Sequence, residues 1–270
     1  MSLPYVTVII PAYRAADTLP AALASIRTCG LPPDQVEVII ASDDGQDYAT
    51  RFTDPMLAFT PVGPVRSGAG PARNRALAQA RGNFIAYLDA DDTWSPGYLA
   101  ALVPLARRHG AAFGLTSVYS DGKELMQLPR RDGFTLSLED FGATGASYHP
   151  VLERHQARPF TNQPSQDVRH AVELLARLGG TAPLGQARYC LNLNPDSATA
   201  DGTFARRVGL AYQRHIAQIE AGEGDIPDAM RARCAQVFRD KDRLNHAFTN
   251  SATPGLSYYD FVAAWQQDRA

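Results

Sequence analysis

The sequence predicts an α/β domain built on a largely parallel sheet, followed by a helical C-terminal extension. Short β-branched apolar runs alternate with helix-like segments through the first third of the chain. Carboxylates stand at the ends of two of those runs, and beyond residue 200 the pattern turns helical and densely charged. At 270 residues the chain can bury a substantial core, as one large domain or as one domain with an appendage.

Taken in order, "YVTVII" (Tyr5 to Ile10) reads as a strand that Pro11 stops. "TLPAALASIR" sets Leu19, Leu23 and Ile26 at helical spacing, with Asp17 or Thr18 as N-cap and Pro20 in the first turn. "VEVIIAS" (Val36 to Ser42) is a second strand running into the polar turn "DDGQD", and a weak strand covers Met56 to Thr60. A Gly/Pro-rich loop then opens onto "ARNRALAQARG", a helix that Gly82 closes, before the strand "NFIAYLDADD". A helix from Pro96 to His109, a strand from Ala112 to Val118 and a hairpin around "SDGKE" follow. Residues 137–185 read as irregular apart from "SQDVRHAVELLARLGG", where Val168, Val172, Leu175 and Leu178 form a helical stripe ending at Gly179. "QARYCLNLN" is a further strand, and helices fill the rest.

Composition narrows the partners. With 26 basic and 28 acidic residues the net charge is -2, so no global basic field points to nucleic acid or to an anionic membrane. Cys29, Cys190 and Cys234 are far apart and lack a CxxC spacing, which suggests neither a disulfide framework nor a zinc site and fits a reducing compartment. No apolar run approaches the roughly 18 residues of a membrane span. The N-terminus also lacks a basic-then-apolar signal pattern, so the expectation is a soluble, cytoplasmic protein. Absence of a GxSxG elbow, an HExxH pair or a GxxxxGK[ST] loop removes the usual support for serine hydrolases, zincins and P-loop enzymes.

The chemistry-bearing residues sit at strand ends. "FIAYLDADDTW" sets Asp89, Asp91 and Asp92 against the end of a buried strand. Ligands of open α/β sheets bind at the carboxyl ends of the strands, so Asp89 and Asp91 could hold a divalent cation that neutralises a diphosphate. Asp92 is read as a cap for the turn "TWSP". Asp43 and Asp44 reach the same edge from the second strand, where an Asp can accept from a base or a ribose hydroxyl, or form an Asx-turn with Gly45. "GAGPARN" matches only two of the three glycines of the dinucleotide fingerprint. It reads better as a helix start where Arg73 makes a phosphate-facing corner, with Arg75 a solvated surface residue. The six histidines form no ligand-spaced pair, and only His149, in "YHPV", is kept as a third metal ligand.

Together, "VTVIIPAYRAADTLPAALASI", "EVIIASDDGQD", "GPARNRALAQARGNFIAYLDADDTWSPGYL" and "SQDVRHAVELL" resemble the family-2 glycosyltransferases of GT-A fold, strongly over residues 4–118 and more weakly to about 200. The resemblance implies a Rossmann-like, mostly parallel sheet with helices on both faces. Residues 1–118 would be its nucleotide-sugar-binding half, 119–200 its acceptor-binding half and 201–270 the helical extension. It implies metal-dependent transfer of a sugar from a nucleoside-diphosphate sugar, with a UDP-sugar favoured, to an acceptor hydroxyl with inversion at the anomeric carbon, as in polysaccharide biosynthesis. The acceptor would be a glycan, a lipid-linked sugar or a small molecule.

Pro11, Ala12 and Tyr13 match the family's first nucleotide-contacting turn, Asp44 the carboxylate that reads the base, and Arg73 the basic residue of the third contact segment. Asp89 and Asp91 match the two ends of the DxD motif, the first facing the ribose and the last binding Mg²⁺ or Mn²⁺. Asp167 matches the catalytic residue at the start of the acceptor-side helix. An inverting displacement needs a base beside the acceptor hydroxyl, which a carboxylate at a helix N-terminus can supply. Charge on the leaving diphosphate would be met by a metal on Asp91 and by the positive helix end near Arg73.

The chain departs from the pattern in places. Gln166-Asp167 stands where the family more often has Glu-Asp, and Ser42-Asp43-Asp44-Gly45-Gln46 replaces the commoner Asp-Asp-Gly-Ser. Asn192 and Asn194 occupy the neighbourhood where a His or Arg often approaches the diphosphate. The aromatic tail residues Tyr258, Tyr259, Phe261 and Trp265 could dock on the main domain, form a homodimer contact or rest peripherally on the inner membrane face, with docking the default. Two other functions fit parts of the pattern. A sugar-phosphate nucleotidyltransferase predicts a Gly-rich loop after the first strand, which "PAYRAAD" lacks. A non-catalytic nucleotide-sugar-binding protein is hinted at only by Gln166.

Overall fold

A computed structural model describes residues 5–129, 132–193, 204–251 and 257–267, with side chains as far as Trp265. Four strands, β1 (Val6–Ala12), β2 (Val36–Ser42), β3 (Leu57–Phe59) and β4 (Phe84–Tyr87), run parallel in the order β3-β2-β1-β4. Val6, Val8 and Ile10 of β1 pack into one core and Ile9 into another, so both faces of the sheet are covered and the strand reads as a continuous apolar run. Helices α1 (Leu19–Arg27) and α3 (Tyr98–His109) cover the first face, and α2 (Ala69–Leu77) and α5 (Gln166–Arg177) cover the second.

Pro11 does not stop β1, which stays in register as far as Pro11 opposite Ala41 and Ala12 opposite Ser42. Ile9 bonds toward β4 through Leu88 N, and Pro11 points the same way two residues on, where β4 has ended. Its missing N–H therefore leaves no gap in a ladder. Nor does Gly82 close α2, which ends at Leu77. Gly82 is needed where the chain crosses β1, because a Cβ there would lie 2.4 Å from Thr7 N. The polar residues of these apolar strands satisfy one another: Gly82 N donates to Thr7 Oγ1 (2.8 Å), Thr7 donates to Glu37 (2.8 Å), and Arg81 Nε donates to the other Glu37 oxygen (2.6 Å).

The segment expected to be irregular carries regular structure. After the hairpin of β6 (Ala111–Ser120) and β7 (Lys123–Leu128) come β8 (Thr135–Ser137), α4 (Leu138–Gly142) and β9 (Pro150–Glu153). β9 lies between β4 and β6, antiparallel to both, and unites the sheet. Four residues that open on a proline give no period to detect, which is why the strand was not legible. Beyond it, β10 (Thr181–Leu193) runs parallel to β6 and carries the two-residue β5 (Thr93–Trp94) on its other side.

The extension forms α6 (Phe204–Glu220), α7 (Asp228–Ser251) and α8 (Tyr258–Gln267). Tyr212, Phe238, Tyr258 and Val262 from these helices join the same core as Phe141, Val172 and Leu175, so the tail docks on the domain. Tyr258 approaches so closely that a Cβ on Gly145 would lie 2.2 Å from its ring. The fold is thus a mostly parallel α/β sheet, helices on both faces, with a helical layer added at the C-terminus. Because Leu152 of β9 is fully buried in that core, Leu152→Ala is expected to cost about 2–5 kcal/mol, read as a lowered urea midpoint.

Candidate functional site

The carboxyl ends of β1, β2 and β4 share one edge of the sheet, and the polar residues that follow each strand gather there. Asp44 accepts four hydrogen bonds, from Arg14 N (2.6 Å), Tyr48 Oη (2.9 Å), Gln46 N (3.0 Å) and Ser42 Oγ (3.1 Å). Burial alone would raise its pKa, but these donors together hold the carboxyl below its ordinary value. Asp43 is buried and accepts from Ser67 N (2.9 Å) and Gly68 N (2.8 Å). Arg75 is no solvated residue: its guanidinium donates to Ser42 O (2.6 Å) and Ser67 Oγ (3.1 Å), locking the loop before α2 onto β2. Pro11 and Ala12 finish β1 within this rim, and Tyr13 projects from it, 44% exposed.

A cleft of about 430 Å³ lies beside the rim, and its polar wall includes Asp89, Asp91, Asp92, Ser147, His149 and Asp167. Asp89 is fixed by Arg73, which is 1% exposed, pairs with it directly and lies 5.3 Å from the Phe160 ring. Arg73 is therefore no open phosphate-facing corner but a buried cation behind the carboxylate. Burial would raise the Asp89 pKa; Arg73 and, to a lesser degree, His149 bring it below the ordinary value. Three of the four non-glycine residues with positive φ among those described, Arg14, Arg66 and Ser165, border this region, backbone strain of the kind that concentrates at working sites.

Asp92 is not a local cap. It is buried and accepts from Tyr189 Oη (2.8 Å) and Asn192 N (2.8 Å), while Tyr189 Oη accepts from Asp89 N (3.0 Å). Burial, then the charges of Asp91 and Asp89, push its carboxyl well above the ordinary range. Asn192 thus serves as a link between β10 and the acidic turn; Asn194 lies outside the described residues. His149 lies flat on Tyr189, ring centroids 4.5 Å apart, and burial lowers its pKa. Among the described residues no three His, Cys, Asp or Glu side chains converge on a cation position, and His149 lines the cleft with Asp89 and Asp91. The donor set still suits Mg²⁺ or Mn²⁺. Hard carboxylate oxygens crowd one wall, Asp92 registers their negative potential, and such ions commonly take one or two carboxylates and complete their shell with phosphates and water.

Asp167 sits in the first turn of α5, and its carboxylate accepts no hydrogen bond from the described residues. Gln166 turns away from the cleft, its Cγ 3.2 Å from where a Gly70 Cβ would sit, so the Glu-to-Gln departure falls on a packing contact between α5 and α2. Other wall residues come from parts of the chain where no motif marked them: Ser147 from the segment read as irregular, and Arg207, Tyr212 and Tyr259 from the extension. Lys241 of α7 was equally silent. It is fully buried and donates to Thr144 O (2.6 Å) and Ala146 O (2.9 Å), pinning the loop that carries Ser147, and burial pushes its pKa down to about 7.

Comparison with known proteins agrees with this geometry. The family model described as "Glycosyl transferase family 2" matches residues 7–163. The succinoglycan biosynthesis protein ExoO of Rhizobium meliloti is 33% identical over 129 residues, 45% of this chain and 36% of that protein. The UDP-Glc:alpha-D-GlcNAc-diphosphoundecaprenol beta-1,3-glucosyltransferase WfgD of Escherichia coli is 30% identical over 112 residues, 40% of this chain and 43% of that protein. In these relatives the match therefore spans less than half of their own length. TarS of S. aureus, solved with UDP-GlcNAc, shares the fold with a TM-score of 0.68 at 16% identity, covering 92% of this chain and 76% of that one. The mannosyltransferase PcManGT of Pyrobaculum calidifontis, solved with GDP-Man and Mn²⁺, gives 0.55 at 17% identity, covering 93% and 76%.

Two outcomes follow from the buried cations. Arg73→Met leaves the partly solvated Asp89 without its counter-ion and is expected to cost about 1–3 kcal/mol in chemical denaturation. For Lys241 the folded pKa lies below the unfolded one, so the unfolded chain holds more protons between pH 7 and about 10, and stability from this residue rises with pH. The unfolding free energy of the wild type minus that of Lys241→Met should therefore climb between pH 7 and 9 by about 1 kcal/mol per unit; a flat difference would contradict it.

Proposed function

The chain belongs to glycosyl transferase family 2, and we propose from that premise that it moves a sugar from a UDP-sugar to an acceptor hydroxyl with inversion at the anomeric carbon. The observation that carries this reading is the lining of one cleft by Asp89, Asp91 and the unengaged carboxylate of Asp167. Asp167 accepts the proton of the acceptor hydroxyl as its oxygen attacks the anomeric carbon, and the bond to the diphosphate breaks on the opposite face. No protein nucleophile is needed. Pro11, Ala12, Tyr13 and Asp44 make the rim on which the nucleotide rests, and Asp89, held by Arg73, faces its ribose. Asp91, with Asp89 beside it, would hold Mg²⁺ or Mn²⁺, which supplies charge neutralisation to the leaving diphosphate when bound. Arg207 lines the same cleft and adds a positive charge there.

In this reading residues 1–118 serve the donor and 119–200 the acceptor, with the extension walling the acceptor side. Two of the relatives, WfgD and WfaP of Escherichia coli, are named for transfer from UDP-Glc to a sugar on diphosphoundecaprenol, which supports a glucose donor and a lipid-linked acceptor here. Such an acceptor would bring the protein to the inner membrane face as a peripheral enzyme; no helix among the described residues is long and apolar enough to cross a membrane.

A thermal-shift panel of UDP, GDP and their glucose and mannose conjugates, with and without Mn²⁺, tests the donor site. UDP species are expected to stabilise the protein more with Mn²⁺, and Asp91→Asn to abolish the metal-dependent part; a panel without any shift sinks the assignment. Asp167→Asn is expected to bind donor as the wild type does while losing transfer by roughly 10²–10⁴-fold. Undiminished transfer would remove Asp167 as the base.

A further inference from the structure

We propose that Tyr259 of α8 and Ser147 form a hydroxyl pair that seats a sugar ring beside Asp167, so that the C-terminal extension completes the acceptor subsite. The inference rests on the transferase reading above and adds to it the acceptor's chemistry, a carbohydrate bearing hydroxyls on either side of the one that reacts. Tyr259 is 5% exposed and lines the cleft with Asp167. Ser147 is 8% exposed, lines the same cleft, and its Oγ is buried without a hydrogen-bond partner among the described residues. A buried hydroxyl without a partner is uncommon, and Ser147 Oγ, with the Tyr259 phenol and the Asp167 carboxylate lining the same cleft, forms a set that a polyol would satisfy together.

The anchoring of both side chains argues against accident. Tyr258, the residue before, fills the space that a side chain on Gly145 would need, two residues from Ser147. Lys241 holds the same loop from below through Thr144 O and Ala146 O. Two helices, α7 and α8, thus fix the loop that carries Ser147 next to Tyr259. Burial, followed by Tyr258 and the carboxylates of Asp92 and Asp167, pushes the Tyr259 phenol up, so it remains a proton-bearing donor. Val208 and Tyr212 beside it supply an apolar face of the kind that covers the C–H side of a sugar ring.

Tyr259→Phe and Ser147→Ala in the full chain test this, with UDP-glucose and Mn²⁺ as donor and a panel of methyl and octyl glucosides and N-acetylglucosaminides as acceptor probes. Both variants are expected to match the wild type within twofold in UDP binding and in acceptor-free release of UDP. Acceptor-dependent kcat/KM should fall about tenfold for each, chiefly through the acceptor KM. Unchanged acceptor kinetics, or a loss shared equally by UDP binding, would overturn the subsite. A wild type that binds UDP but is not accelerated by any of these glycosides would overturn the sugar assignment while leaving the donor site intact. Failure to bind UDP at all would remove the transferase reading, and this inference with it.

Discussion

The pairing of the buried Arg73 with Asp89 is the contact on which the acidic edge depends. Arg73 rises from the middle of α2, packs on Phe160 and meets the first carboxylate after β4, so three separate parts of the chain converge on one guanidinium. Its charge acts in a region from which water is largely excluded, where a single cation has far more effect than it would at the surface. The result is a division within "DADD". Asp89 is held ionised by Arg73, whereas Asp92, three residues on and shut away with Tyr189, is driven toward its neutral form by burial and by its neighbours. Identical residue types thus take opposite electrostatic states because their surroundings differ, which is how one short turn can offer both an anionic wall and a fixed hinge to β10.

Much of this was readable from the chain. β2 spans the residues its β-branched run delimits, and the carboxylates Asp89, Asp91 and Asp167 do line one cleft. What could not be read has a common cause: it depends on partners distant in sequence. The part played by Arg73 required knowing that Phe160 and Asp89 would surround it, and Arg75 is tied down only because Ser42 and Ser67 come to it. Ser147 and Tyr259 carry no motif at all; Ser147 acquires meaning only from the absence of a partner for its hydroxyl in the folded state, and Tyr259 only from its place in the cleft wall. Pro11 misled for a related reason, as a proline ends a strand only where a neighbour needs its N–H.

The extension also changes how the chain divides. Its helices share one apolar core with α4 and α5, and through Lys241 they support a loop of the cleft, so the site is not confined to the segment that the family pattern covers. The family match, residues 7–163, covers the strands that carry Asp44, Asp89 and Asp91 and stops short of Asp167. Cleft residues from beyond the match, Asp167, Arg207, Tyr212 and Tyr259, come from α5 and the extension, the kind of variable region in which members of one fold can differ in what they modify.

β9 carries a consequence for assembly. It is supplied by residues 150–153, yet it fills the space between β4 and β6, which are complete by residue 120. During synthesis the first four strands can emerge and pair, but the open side of β4 must wait for more than sixty further residues before its neighbour exists. Non-local closure of this kind slows folding and leaves an apolar strand edge available to other nascent chains. The entry of β9 therefore sets when the edge of β4 ceases to be vulnerable, and a ribosome paused ahead of it would hold the chain with that apolar edge unpaired.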